Sequence, residues 1–155
     1  MAKNLNKIFG HVYQVETITP SDDGTTSAYT KSPEAMESGT TYFVDISTNT
    51  VSVKLPTTKL VAGVWFKFVL ATASDDEGTK DFILTTGSDS TDFGGTIRDG
   101  GGLVEVTSAT SKITIDSSEG AATVGDFITC VYDGTDWYVE GVILNDGALA
   151  IADGI

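Results

Sequence analysis

Phe127-Ile-Thr-Cys-Val-Tyr132 leads into Asp133-Gly134-Thr-Asp136, and Trp137-Tyr-Val-Glu-Gly-Val142 leads out. Both flanks are rich in β-branched and aromatic residues and alternate with a period of two, as strands do. Asp133-Gly134 supplies the positive φ that a tight hairpin turn demands. The alternation places Trp137 and Val139 on one face of the second strand and Tyr138 and Glu140 on the other.

The same pattern extends upstream. Thr41 opens a series of strands: Tyr42 to Ile46, then Thr50 to Leu55, with the short link Ser47-Thr-Asn49 reading as another tight hairpin. Pro56 closes the second of these, because proline cannot donate to a ladder. Val64-Trp-Phe-Lys-Phe-Val-Leu-Ala71 is apolar enough to be a central strand. Asp81 to Thr86, a short piece around Gly94, Gly95 and Ile97, Leu103 to Val106, and Lys112 to Ile115 follow. Polar turns separate them: Ser74-Asp-Asp-Glu-Gly78, Gly87-Ser-Asp-Ser-Thr-Asp92 and Arg98-Asp-Gly-Gly-Gly102. About ten short strands with Gly-rich turns predict an all-β domain, a sandwich or barrel. No internal repeat of 20–50 residues stands out, which argues against a solenoid or propeller.

Outside this block, Ile8 to Thr19 reads as a first strand on an extended N-terminal arm, followed by the polar linker Pro20-Ser-Asp-Asp-Gly-Thr-Thr-Ser27. Ser32-Pro-Glu-Ala-Met-Glu-Ser-Gly39 predicts a single helical turn, capped by Ser32 and ended by Gly39. Gly147-Ala-Leu-Ala-Ile-Ala-Asp-Gly-Ile155 reads as an edge strand or an arm that packs on a neighbouring subunit. The expected organisation is arm and linker over 1–38, β domain over 39–143, and apolar C-terminal segment over 144–155.

The 155 residues carry 22 acidic and nine basic side chains, a net charge of −13. Such a chain repels phosphate backbones and anionic bilayers, so neither nucleic acid nor membrane is expected as a partner. Charge is unevenly placed. Lys112 is the last basic residue, whereas Lys3 and Lys7 precede the first acid, Glu16. An acidic partner would therefore be met by the N-terminal end. The opening Met-Ala-Lys-Asn-Leu-Asn-Lys7 has no apolar signal core, and synthesis in a cytoplasm is expected. The one cysteine, Cys130, falls in an apolar strand and reads as an inert buried thiol.

Catalytic constellations are missing from the sequence. His11 is the single histidine and stands far from any nucleophile motif, and one Cys with one His does not make a zinc site. The acids Asp22-Asp23, Asp75-Asp76-Glu77, and Asp89 with Asp92 lie in polar loops, without the cleft a glycosidase needs. Asp75, Asp76 and Glu77 would be the best calcium ligands, but no EF-hand spacing is present. Asp99-Gly-Gly-Gly102 lacks the lysine and helix of a phosphate loop and reads as a turn. Trp65, Trp137, Tyr132 and Tyr138 could stack on sugar rings, yet their apolar strands favour core packing. No residue is assigned to catalysis, cofactor or metal.

Thr50-Val-Ser-Val-Lys-Leu-Pro56, Gly63-Val-Trp-Phe-Lys-Phe-Val69, Phe82-Ile-Leu-Thr-Thr86 and Gly94-Gly-Thr-Ile97 together resemble small virion proteins of tailed bacteriophages. Gly125 to Gly141 is similar to the same group, and the resemblance spans roughly residues 40 to 143. It implies a non-enzymatic protein that decorates and cements the capsid exterior at seams between major capsid protein subunits, most often as a homotrimer. Residues of the N-terminal arm (Lys3, Lys7, Ile8 and Phe9) are the expected capsid contacts, and Leu149, Ile151 and Ile155 the expected subunit contacts. A glycan-binding module of a phage tail or fibre is the alternative.

Overall fold

The computed structural model describes residues 14–18, 29–31, 36–58, 60–73, 80–88, 90–116 and 122–153. Among them are twelve strands and no helix: β1 (Gln14–Ile18), β2 (Tyr29–Lys31), β3 (Thr40–Asp45), β4 (Val51–Lys54), β5 (Trp65–Thr72), β6 (Phe82–Thr85), β7 (Phe93–Asp99), β8 (Gly102–Thr110), β9 (Lys112–Ile115), β10 (Phe127–Tyr132), β11 (Trp137–Val142) and β12 (Leu149–Ala152). They form a seven-stranded sheet in the order β1-β3-β5-β10-β11-β7-β8 and a five-stranded sheet in the order β12-β9-β6-β4-β2. The fold is an all-β sandwich.

Alternation explains how the two sheets meet. Tyr42 and Val44 of β3, Phe66, Phe68 and Leu70 of β5, Ile128 and Cys130 of β10, and Trp137 of β11 point inward from the larger sheet. Val51 and Val53 of β4, Phe82 and Leu84 of β6, and Ile113 and Ile115 of β9 point inward from the smaller one. Phe68 and Phe82 join the layers with ring centroids 5.6 Å apart, and Tyr42 stacks on Phe68 at 5.4 Å. Each such fully buried side chain contributes about 1.5–3 kcal/mol from its removal from water.

The hairpin at Asp133–Asp136 forms as the sequence indicates. β10 and β11 pair antiparallel with Tyr132 opposite Trp137, and Gly134 has φ +116°. The Asp133 carboxylate closes the loop by accepting from the Thr135 and Asp136 N–H groups at 2.7 and 2.8 Å. β5 is an interior strand, as its apolar composition requires, between β3 and β10.

Two expectations are corrected. Ser47-Thr-Asn49 does not make a hairpin: β3 and β4 lie in different sheets, so this link arches across the core. Both strands bury alternate residues either way, and periodicity cannot tell a turn within a sheet from an arch between sheets. Asp45 holds the arch by accepting from the Ser47 N–H at 2.9 Å, and Lys80 Nζ donates to the Ser47 carbonyl at 3.0 Å. The expected helical turn lies partly outside the described residues. Its described part, Met36–Gly39, is non-helical and ends with Gly39 at φ +86°.

The chain also winds in a way the sequence conceals. β1 through β6 alternate between the sheets, and neighbours pair in parallel: β1 with β3 and β3 with β5, β2 with β4 and β4 with β6. Partners Gln14, Thr40 and Phe66 follow one another at equal steps of 26 residues, a short solenoid-like coil. In the other sheet, Tyr29, Val51 and Phe82 are separated by 22 and 31 residues. Connections of unequal length thus erase the repeat that sequence periodicity would reveal.

Candidate interaction surfaces

The larger sheet turns its second face outward, and register aligns that face into three rows. The middle row runs Val15, Thr41, Lys67, Thr129, Glu140, Thr96, Glu105 across all seven strands. On one side of it runs Thr17, Phe43, Val69, Phe127, Val142, Arg98, Leu103. On the other lie Trp65, Val131, Tyr138 and Gly94. Apolar side chains dominate both flanking rows. Leu103 is 71% exposed, Tyr138 55% and Val131 41%. Single exposed apolar residues are ordinary, but an aligned set across one sheet face marks a contact surface.

Cations are set among these apolar groups. Lys67 Nζ sits 4.3 Å from the Phe127 ring centroid, a cation–π contact. Arg98, Leu103, Phe127, Glu140 and Val142 line a shallow open groove of about 320 Å³. The sequence signal for this face lies in β5 and β10. Trp65 and Val69 make β5 apolar outward as well as inward, and Phe127 and Val131 do so for β10, the composition of strands covered on both sides.

Strand edges form a second surface. β8 is the terminal strand of the larger sheet and β12 that of the smaller, and the two lie on the same side of the sandwich. β8 is nine residues long and mostly exposed. Open edges of this length are templates for pairing with another chain. Leu149 and Ile151 lie on β12, half-buried against the core, where β12 pairs antiparallel with β9. Lys3, Lys7, Ile8, Phe9 and Ile155 lie outside the described residues.

Among the described residues no group of three or more His, Cys, Asp and Glu is placed to hold a metal ion. His11, Asp22, Asp23, Asp75, Asp76, Glu77 and Asp89 lie outside the described residues. Asp99 Oδ1 accepts from the Gly101 and Gly102 N–H groups at 2.9 and 3.2 Å, so it closes the β7–β8 turn. The Asp133 carboxyl is held below the ordinary range by the Asp136 and Thr135 N–H bonds, which also serves a turn. Cys130 is fully buried, and burial pushes its thiol upward, the opposite of a nucleophile's environment. Trp137 is core and Tyr132 packs against it at 5.1 Å, so of these four aromatics Trp65 and Tyr138 face outward. No known family model matches the chain, and no curated protein matches its sequence.

Proposed function

We propose that this chain is a structural protein of a tailed-bacteriophage virion, made in the host cytoplasm and mounted on the capsid exterior. It decorates the shell and cements seams between major capsid protein subunits, and it assembles as a homotrimer. The observation that carries this reading is the pair of terminal strands, β8 and β12, on one side of the sandwich, whose outer edges meet no further strand among the described residues. Pairing such edges with a neighbour hides unpaired backbone groups and builds the assembly in the same act. A trimer matches the local three-fold positions of a shell. The resemblance of residues 40 to 143 to phage virion proteins supports the same assignment. The work done is interface free energy, with no reaction, cofactor, nucleic acid or membrane involved. An excess of acid, −13 overall, suits an outer surface that keeps particles dispersed.

The test is to add purified protein to bare, expanded phage heads and count copies bound per shell. Saturable binding at a fixed stoichiometry, with greater resistance of the heads to heating, is the expected result. Failure to bind heads, with binding to tails or whole cells, would replace this reading by the second one.

That second reading, a glycan-binding module of a tail or fibre, has its own observation. Trp65, Val131 and Tyr138 are adjacent in register on the outer face, a platform on which a sugar ring could stack. It requires hits on a glycan array that disappear in Tyr138→Ala.

A further inference from the structure

We propose that two copies of this chain pair face to face through the outer surface of the seven-stranded sheet, about a two-fold axis lying along β10. The contact uses a different surface from the β8 and β12 edges, so it is compatible with edge-built trimers and would join one trimer to the next. It does not depend on the capsid reading.

The axis follows from strand order. β10 is the middle strand of seven, with β5 and β11 one step to either side, β3 and β7 two steps, and β1 and β8 three. Rotation about β10 therefore lays β5 of one copy over β11 of the other, and β3 over β7. Because residues in one row share a level along the strands, each row meets itself reversed.

The side chains then match. In the middle row Lys67 faces Glu140 of the second copy, and symmetry repeats the pair, while Thr129 meets Thr129 on the axis. In the apolar row Phe127 meets Phe127, Val69 meets Val142, and the Phe43 ring meets the Arg98 guanidinium. In the third row Trp65 meets Tyr138 and Val131 meets Val131. The charged residues of the three rows are two cations, Lys67 and Arg98, and two acids, Glu105 and Glu140. That face is neutral on a chain of −13, so it is where two acidic copies approach without repulsion. An apolar centre with aromatics and few charges is the composition of a buried interface core.

Area is sufficient. Six inter-strand spacings make the face about 30 Å wide, and three rows with their margins make it about 20 Å tall, or ~600 Å² per copy. Two copies bury ~1,200 Å² in total, above the roughly 1,000 Å² that a specific interface requires. Sheets stack face to face at ~10 Å with strands within about 30° of each other, which a two-fold along β10 allows.

Sedimentation equilibrium of the full chain tests this, read as a concentration-dependent rise to at least twice the mass of the unpaired species in the micromolar range. Lys67→Glu and Glu140→Lys each set like charges in contact twice, and each raises the dissociation constant about tenfold or more. The double variant Lys67→Glu/Glu140→Lys restores the pair with signs exchanged and returns the constant to within about threefold of wild type. Circular dichroism melting of each variant separates lost pairing from lost folding. A second readout uses Thr129→Cys with a short bis-maleimide. Two such thiols face each other across the axis, and buried Cys130 does not react, so the expected product is a covalent dimer. A mass that never doubles up to ~1 mM, a doubling indifferent to both charge reversals, or no Thr129→Cys cross-link overturns the proposal. So does a wild-type protein that fails to self-pair but loses head binding in Lys67→Glu, which would assign this face to the shell. The self-pairing assays use no phage heads, so their failure and that of the head-binding test are distinct results.

Discussion

Asp126 shows how much one residue can organise here. It is fully buried, and its carboxylate accepts from the Thr123 N–H at Oδ2 and the Leu144 N–H at Oδ1, both at 2.8 Å. Its own carbonyl accepts from the Leu70 N–H at 2.8 Å, so three separate segments converge on it. Burial raises its pKa above 3.8, and the two N–H bonds oppose that only in part. A raised folded-state value means that the native state holds this proton more tightly than the unfolded chain. The site therefore gains stability as pH falls through the folded-state value towards 3.8 and loses it as pH rises. Asp126→Asn turns an amide NH₂ towards a backbone N–H and is expected to cost about 1–3 kcal/mol. Urea unfolding of both proteins across the acid range should show the gap widening as pH falls; a narrowing gap would refute the assignment. Trp137 illustrates the opposite balance. Its indole N–H is buried with no acceptor among the described residues, at a cost of about 1–3 kcal/mol. Burying the ring against Phe66 and Tyr132 contributes ~4–6 kcal/mol, so packing wins.

At the scale of elements, β7 and β8 pair across an irregularity. Phe93 stands opposite Thr110 and Gly95 opposite Val106, so Thr107, Ser108 and Ala109 bulge out against Gly94 alone. Gly95 approaches the next strand so closely that a Cβ there would lie 2.1 Å from the Val139 carbonyl oxygen, and its φ is +129°. Ala109 reaches φ +135° with a side chain, a conformation that costs about 1–3 kcal/mol. It is exposed, so Ala109→Gly removes strain without opening a cavity. After the greater backbone freedom of glycine in the unfolded chain is counted, about 1 kcal/mol of added stability is expected in denaturant titration. Lower stability of that variant would mean the bulge is unstrained. Such a bulge also bends the end of an open edge, a device that limits indiscriminate pairing and leaves Leu103 to Val106 as its regular part.

The whole molecule is stitched between its layers. Of eleven connections among the twelve described strands, only β7–β8 and β10–β11 stay within one sheet; the other nine join strands of different sheets. Neither sheet can therefore form without the other, and unfolding should be a single transition followed equally by tryptophan fluorescence and circular dichroism. Pairings such as Gln14 with Thr40 and Tyr29 with Val51 are non-local, so loop closure precedes any gain from contact. Refolding on the scale of milliseconds to seconds is expected by stopped-flow, as for other sandwiches. Microsecond refolding would contradict this winding.

Period-two alternation, β-branched composition and glycine-rich turns were enough to establish an all-β chain, the position of most strands and which residues of β11 share a face. Those are local properties, since alternation states which side of a strand is apolar and Asp133-Gly134 states where the backbone reverses. The pairing of strands was decided only by the tertiary structure. A turn such as Ser47-Thr-Asn49 serves a hairpin or an arch with the same residues, and the coil of β1 to β6 is masked by loops of unequal length. The outer apolar rows share that origin. Phe43, Val69, Phe127, Val142 and Leu103 come from five strands scattered along the chain, and only hydrogen-bonded register sets them side by side.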